Sequence, residues 1–303
     1  MKNNLLAVVA DKNCVLQAKQ LFSSAYFNAG WDGDYMLLAQ EIPENDLEWF
    51  ENKKIIIKRI KPISTISFGR ISNATLSRFY LFTPEFKNWK NIVYLDVDII
   101  LRSPINELAD IKGFAAVAEG KLKNLFIKSP ELYKKMAGKY NFKETRFNSG
   151  VLAFSTDIIN EKSFDNLVAL FEDYKESIRG DQEILNLFFY KKWKRISQFY
   201  NVNPYKMTGC YLLPHNRLKG VLHFIGDKKP WDKESPFYKE WKSNLEKADL
   251  IDLEKTQKVN KTSNKEIIKY SYICMFKEKT LYPIFWIDRI IGKVGITIRS
   301  LSS

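Results

Sequence analysis

Cysteine is scarce in this chain. Three residues in 303, Cys14, Cys210 and Cys274, lie far apart and are odd in number. That excludes a disulfide framework or a paired-cysteine metal spacing, and it implies a reducing compartment. Histidine is scarcer still, with only His215 and His223. No apolar run approaches the roughly 20 residues that a bilayer span needs. The opening MKNNLLAVVADKN is apolar over too few residues for a signal peptide and meets a charge at once. A cytoplasmic protein, or one on the inner face of the cytoplasmic membrane, is therefore expected. Acid is also in deficit: the net charge is +13 and the pI about 9.4. Nucleic acid, anionic lipid and phosphorylated substrates all suit such a balance. What the chain has in quantity is core material. It is 45% hydrophobic and 27% charged, a globular composition.

Apolar runs alternate with helical stretches in the first half. Leu5–Ala10, Tyr35–Ala39, Ile55–Ile60 and Asn91–Asp96 read as strands, and Cys14–Asn28, Glu44–Glu51 and Arg70–Phe82 as helices. The pattern predicts βαβ units, an α/β fold and a mainly parallel sheet. In such sheets ligands bind beyond the carboxyl ends of the strands. The Asp11–Asn13 and Asp96–Asp98 turns both fall there, and one shared crevice is expected. The second half is less regular. Phe114–Ala118, Phe147–Phe154 and Val221–Phe224 read as strands and Asp181–Tyr190 as a helix.

The domain reading is a catalytic body over 1–250, a linker over 251–265 and a basic tail over 266–303. Beyond Thr256 nine basic residues stand against three acidic ones. Within Leu281–Ile298, Ile284, Ile287, Ile291, Val294 and Ile298 share one helical face, with Tyr282, Phe285 and Trp286 at the start. A helix of this kind fits either an anionic membrane surface or a docking site on the protein's own core.

The richest local signal is Asp96-Val97-Asp98, set in NIVYLDVDIILRSPI. Two carboxylates at the end of a buried strand are costly without compensation. A divalent cation holding a diphosphate is one compensation, since hard cations take oxygen ligands. A strand ending in a polar turn is the other explanation. Four further patches bear on the choice. In Phe147-Asn148-Ser149-Gly150-Val151, a glycine at a strand start permits close backbone approach to a ligand. In Gly180-Asp181-Gln182-Glu183, Asp181 reads most simply as an N-cap, and Gln182 places an amide at the first turn. In HFIGDKKPW, His223 ends a strand and suits a cation site begun by two carboxylates. Lys229, six residues on, is a point charge for phosphate. Arg78 lies two turns into the helix before the acidic strand, where a surface arginine is the plain alternative.

Taken together and in this order, DVDIILRSPINEL, FNSGVLAF, GDQEILN and HFIGDKKPW, preceded by RISNATLSRFYLF, resemble glycosyltransferase family 8 from about Leu5 to Trp241. That family includes bacterial lipopolysaccharide galactosyl- and glucosyltransferases and the glycogenins. The resemblance implies a GT-A fold, a Rossmann-like nucleotide-diphospho-sugar transferase architecture. It implies retaining transfer of glucose or galactose from a UDP-sugar to a glycan or glycolipid acceptor, a lipopolysaccharide or surface polysaccharide, with Mn²⁺ and with Mg²⁺ as the alternative ion. Nucleic acid is then not a partner. By motif, Asp96, Asp98 and His223 are implied as metal ligands, with Asp96 also at the ribose. Lys229 and Gly226 are implied at the diphosphate, Asp11 and Asn13 at the uracil, and Arg78 at the nucleotide and sugar. Asn148, Ser149, Asp181 and Gln182 are implied around the donor hexose, the last two as the catalytic pair. The first turn, ADKNC, departs from the family in lacking an aromatic or aliphatic residue after the asparagine. Position 149 is Ser where Ala is also common. Glu119 to Arg146 matches nothing assignable.

Two rival functions share parts of this signal. A sugar nucleotidyltransferase needs a Gly-rich phosphate loop after the first strand, and Ala10–Cys14 has Lys12 but no glycine. A non-catalytic basic binding module on a transferase fold has no need of Asp96, Asp98, His223 and Lys229 together. For retention, a covalent intermediate wants a carboxylate under the anomeric carbon, and Asp181 is the one acid in the matching motifs free for that role. Same-face attack, with Asp181 and Gln182 holding the sugar, is preferred.

Overall fold

The computed structural model describes residues 3–66, 72–125, 133, 134, 136, 138–175, 180–205, 215–255, 261–270 and 272. The expected tail helix Leu281–Ile298 lies outside them.

Strand β1 (Asn4–Asp11) is the centre of the molecule. Leu5 to Ala10 are almost wholly inaccessible on both faces, which is why the run is continuously apolar rather than alternating. One face packs on helix α1 (Val15–Phe27), the other on a 3-10 coil, Asn73–Phe82. That coil replaces the α-helix expected over Arg70–Phe82. Ser72 starts it by accepting from the Ala74 N–H. Its inward aromatics Phe79 and Phe82 then lie against the sheet, with Phe82 stacked on Phe154.

Strands β2 (Asp34–Gln40) and β3 (Ile56–Ile60) extend the sheet on one side of β1, with helix α2 (Glu44–Asn52) between them. Strand β4 (Asn91–Leu95) pairs with β1 on the other side, also parallel. The chain thus reverses its direction of travel across the sheet between β1 and β4. The gap beyond their carboxyl ends is a topological switch point, where open α/β sheets bind ligands. Asp11 ends β1 and Asp96 follows β4 directly, so both turns fall at this edge of the sheet, though only the Asp96–Asp98 turn lines the cleft found there.

Beyond β4 come β7 (Thr145–Ser155), β6 (Phe114–Lys121) and β8 (Trp193–Ile196), completing the order β3-β2-β1-β4-β7-β6-β8. Only β7 runs antiparallel to its neighbours. It is also bulged. Ala116 pairs with Leu152, yet the next residue, Val117, pairs with Asn148. Ser149, Gly150 and Val151 are left without partners on β6, and bulges of this kind re-aim backbone groups beside sites.

A second, two-stranded sheet pairs β5 (Ile99–Leu101) with β9 (Val221–His223), antiparallel, with Ile99 opposite His223. Helices α3 (Ser163–Tyr174), α4 (Asp181–Phe188) and α5 (Tyr238–Glu246) complete the body. Residues 261–270 pack on it. Lys261 pairs with Asp110 at 2.7 Å, Thr262 Oγ1 donates to Pro104 O, and the buried Tyr270 ring lies against Phe199. Among the described residues, no helix is long and apolar enough to cross a membrane.

Candidate active site

The cleft at the switch point has a volume of about 400 Å³, and Arg78, Asp96, Asp98, Asn148, Gln182 and His223 contribute to its walls. Three of these meet at one end. Ligand atoms of Asp96, Asp98 and His223 all lie within 4.8 Å of one another. His223 Nε2 is 3.2 Å from Asp98 Oδ1 and 3.6 Å from Asp96 Oδ2. The β5–β9 ladder brings the imidazole beside the acids, and Phe224 N donates to Asp98 O to extend it.

Each acid has one oxygen already held. Asp96 Oδ1 accepts from the Tyr94 hydroxyl at 2.6 Å and from Arg78 Nη2 at 2.9 Å. Asp98 Oδ2 accepts from Lys229 Nζ at 2.6 Å. The other oxygen of each carboxylate faces the imidazole. Burial opposes ionisation of Asp98, but His223 and Lys229 outweigh it and hold the carboxyl below the usual range. Burial likewise opposes charging of His223, while Asp98 and Asp96 raise its proton affinity above the ordinary. The negative field that draws a proton to this imidazole draws any cation. Two hard carboxylate oxygens and one imidazole nitrogen fit a first-row divalent ion.

Arg78 is no surface residue. It is 2% exposed, stacks over Tyr94, donates from Nη1 to Ser149 O at 2.7 Å, and lies 3.2 Å from Asp181 Oδ2. It therefore links the acidic turn, the bulge and helix α4.

Asp181 is not an N-cap. Gly180 takes that position, and Asp181 is the first helical residue. Its side chain is buried beside Arg78, and its Oδ2 makes no hydrogen bond despite that ion pair. Burial raises its pKa, against the pull of Arg78.

Gln182 Oε1 accepts from Ser149 N at 3.2 Å and Asn148 Nδ2 at 3.1 Å. A backbone N–H cannot reverse its role, so the Gln182 carbonyl is committed to the bulge. Asn186, one turn on, bonds both the N–H and the C=O of Phe147 and so pins α4 to β7. Gly150 stands in mid-strand, not at a strand start, and the close approach it permits is internal. A Cβ there would lie 2.2 Å from His223 Cε1 and 2.8 Å from Asp96 Oδ2.

Of the remaining predicted residues, Gly226 lines the cleft, and Asp11, Asn13 and Lys229 stand outside its lining, as a rim. Asp11 accepts from Ser72 Oγ at 2.9 Å and from the Asn13 N–H at 2.8 Å. Asn13 itself is exposed. Burial, then Asp11 and Asp98, push the Cys14 thiol up to about 12, which sets this turn beside the acidic one. Gly226 is in the left-handed region, φ +100°, with open space where a Cβ would be. Lys229 is tied to Asp98 and to Phe224 O, and is still partly exposed.

Several residues that the motifs did not single out belong here. Tyr94 shares a strand face with Asp96, two positions on, and that period was a usable signal. Glu119 bridges Arg146 at 3.3 Å and Asn148 at 3.3 Å, beside the bulge. Asn201 contacts both His223 and Asn148. Neither Glu119 nor Asn201 carries a local signal, because their partners are distant in sequence.

Comparison with known proteins gives the family and the fold. A family model described as Glycosyl transferase family 8 matches residues 5–235. The chain is 29% identical over 242 residues to the glycosyltransferase GlyB of Streptococcus pneumoniae serotype 4, covering 67% of this chain and 55% of that protein. It is 25% identical over 171 residues to a lipopolysaccharide 1,3-galactosyltransferase of Salmonella typhimurium, covering 52% of this chain and 49% of that one. The chain thus spans about half the length of these curated relatives. The structure of the galactosyltransferase LgtC, solved with donor and acceptor sugar analogs, superposes with a TM-score of 0.60 at 20% identity, over 80% of this chain and 95% of LgtC.

Proposed function

The chain belongs to glycosyl transferase family 8, and from that premise we propose that it moves a hexose, glucose or galactose, from a UDP-sugar to a glycan acceptor with retention of anomeric configuration. It is a glycosyltransferase with the GT-A fold. The proposal rests on one observation above the others: Asp96, Asp98 and His223 converge within 4.8 Å at the switch point of the sheet. Those three side chains would hold the ion, Mn²⁺ by preference and Mg²⁺ as the alternative. Bound there, the ion supplies Lewis-acid neutralisation of the departing diphosphate.

The protein's own groups do the rest. Lys229 presents a partly exposed ammonium next to the acids and offsets phosphate charge from a second direction. Gly226 lets the backbone turn sharply under the diphosphate, and Asp11 and Asn13 border the uracil at the end of β1. Asp181 Oδ2 is buried, with the Arg78 guanidinium 3.2 Å away and no hydrogen bond. A hydroxyl of the donor hexose is the group that would donate to it. Asn148, Ser149 and Gln182 form the polar wall beside that hexose, above the guanidinium of Arg78.

Neither catalytic candidate is poised as a nucleophile. Asp181 is buried in an ion pair with Arg78, and burial raises its pKa above the ordinary carboxylate value. The carbonyl of Gln182 is turned into the bulge. This favours same-face attack by the acceptor over a covalent enzyme intermediate. The acceptor is proposed as a lipopolysaccharide or surface polysaccharide, reached at the inner face of the cytoplasmic membrane. The basic sequence of 266–303 is proposed to meet anionic lipid there.

The test is a donor screen with purified chain, Mn²⁺ and a panel of UDP-sugars, reading released UDP. One hexose donor should be hydrolysed slowly without acceptor, and chelation should stop it. Release that is indifferent to chelator, or absent with every donor, defeats the proposal.

A further inference from the structure

Cation sites built on an imidazole depend on which ring nitrogen carries the proton, and a group behind the ring usually decides it. Here the deciding group is Asn201, 9% exposed, between His223 and the β7 bulge. Its Oδ1 is 2.9 Å from His223 Nδ1, and its Nδ2 donates to Asn148 Oδ1 at 2.8 Å. An asparagine amide is symmetrical enough to be read either way round, so the assignment needs a fixed reference. Gly150 provides it. Its backbone N–H points at Asn148 Oδ1 at 2.9 Å, and a backbone N–H is only ever a donor.

The consequence runs in one direction. Asn148 must present oxygen to Gly150, so the Asn201 group facing that oxygen must be the NH₂. The Asn201 oxygen is then the atom facing His223, so Nδ1 must carry a proton. Nε2 is left as the nitrogen that faces Asp96 and Asp98. The same orientation turns Asn148 Nδ2 towards Gln182 Oε1 at 3.1 Å, so one amide orientation serves both ends of the cleft. The relay needs residue 150 to lack a side chain, because a Cβ would sit 2.7 Å from His223 Nδ1.

We propose that Asn201 is a positioning residue, which fixes the Nδ1-protonated form of His223 by relaying the direction of the Gly150 N–H through Asn148. The inference rests on the metal reading of the preceding section for its purpose, though not for its geometry.

Two measurements test it. The first is direct Mn²⁺ binding, followed by the electron-spin-resonance signal of the free ion, without donor or turnover. Asn201→Ala should weaken binding by about 10- to 100-fold, the usual cost of losing such a partner. Asn201→Asp keeps an acceptor for Nδ1–H but cannot donate to Asn148. It should bind Mn²⁺ at least as well as wild type while UDP-sugar hydrolysis falls, a split that a purely structural role does not produce. Wild-type affinity in a folded Asn201→Ala chain overturns the proposal.

The second measurement needs no variant at position 201. With ¹⁵N-histidine in the wild-type chain, at a pH raised until neither ring signal changes further, only two imidazoles report, and His215→Gln assigns them. His223 should show a protonated Nδ1 and a bare Nε2. The opposite tautomer overturns the proposal even if the Asn201 variants fail to fold. A wild-type chain that shows this tautomer but binds no Mn²⁺ overturns the metal reading and leaves the relay standing.

Discussion

The two ends of the cleft are built from different chemistry. At the proposed cation end, Asp96, Asp98, His223, Lys229 and Arg78 balance charge against charge. At the proposed sugar end, amides and backbone groups dominate, with Asn148, Gln182 and Ser149 closing on one another. Asp181 is the exception, a carboxylate placed among amides with one oxygen left without a hydrogen bond. The difference teaches how the labour is divided. Strong fields suit a leaving diphosphate, whose charge is large and fixed in kind. Hydrogen bonds suit a hexose, whose hydroxyls differ only in direction.

Three substitutions and one labelling experiment would break or sharpen that division. Asp98→Asn should have the largest effect. It removes a proposed ligand and the counter-charge of both His223 and Lys229. Loss of several kcal/mol of transition-state stabilisation amounts to at least about 10³-fold in UDP release, with Mn²⁺ binding lost in parallel. A variant that still turns over in the presence of chelator would erase the distinction between the ends.

Asp181→Asn should come next, at about 10²-fold in turnover, the scale of one lost oriented group. Calorimetry should find Mn²⁺ and UDP bound as in wild type, since the ligands are untouched. Weakened UDP binding would mean that the two ends are one electrostatic unit.

Gly150→Ala strikes the seam between them. The added methyl meets His223 and Asp96, and overpacking of this kind costs about 1–3 kcal/mol. A lower midpoint in thermal unfolding and weaker Mn²⁺ binding should appear together. An unchanged midpoint would show that the imidazole moves aside freely.

The smallest effect concerns the rim. With the Cys14 thiol pushed up to about 12 by burial and by Asp11, its thiolate fraction at pH 8 is about 10⁻⁴. A thiol whose pKa is raised stays neutral until the pH climbs through that value, so Cys14 should resist iodoacetamide at pH 8 and react after denaturation. Peptide mass mapping reads this directly. Rapid native labelling would show that burial and Asp11 do not hold the thiol neutral.

Legibility in the sequence followed the range of the interactions. β1 to β4 were readable because their apolar runs are local, and the two helices that join β1, β2 and β3 have the expected length. The acidic turn was readable because both acids follow one strand. The 3-10 coil over Asn73–Phe82 was not, since sheet packing of Phe79 and Phe82 sets its pitch. Asp181 resembled a cap because that residue type and place suit one, yet Arg78, a hundred positions away, draws its side chain inward. The bulge at Ser149–Val151 arises from how β6 and β4 share β7, and no single stretch encodes it. Asn201 was invisible for the same reason.

The short ladder between β5 and β9 has one more effect. Side chains in a strand alternate between faces, so a slip of one residue would swing the imidazole to the opposite side. Three residue pairs hold that register, and Ile99, Ile100, Leu101, Val221 and Leu222 are all fully inaccessible. An error in pairing would drag this greasy cluster out of place before it could misplace the ring. Oil, in effect, proofreads where the imidazole goes.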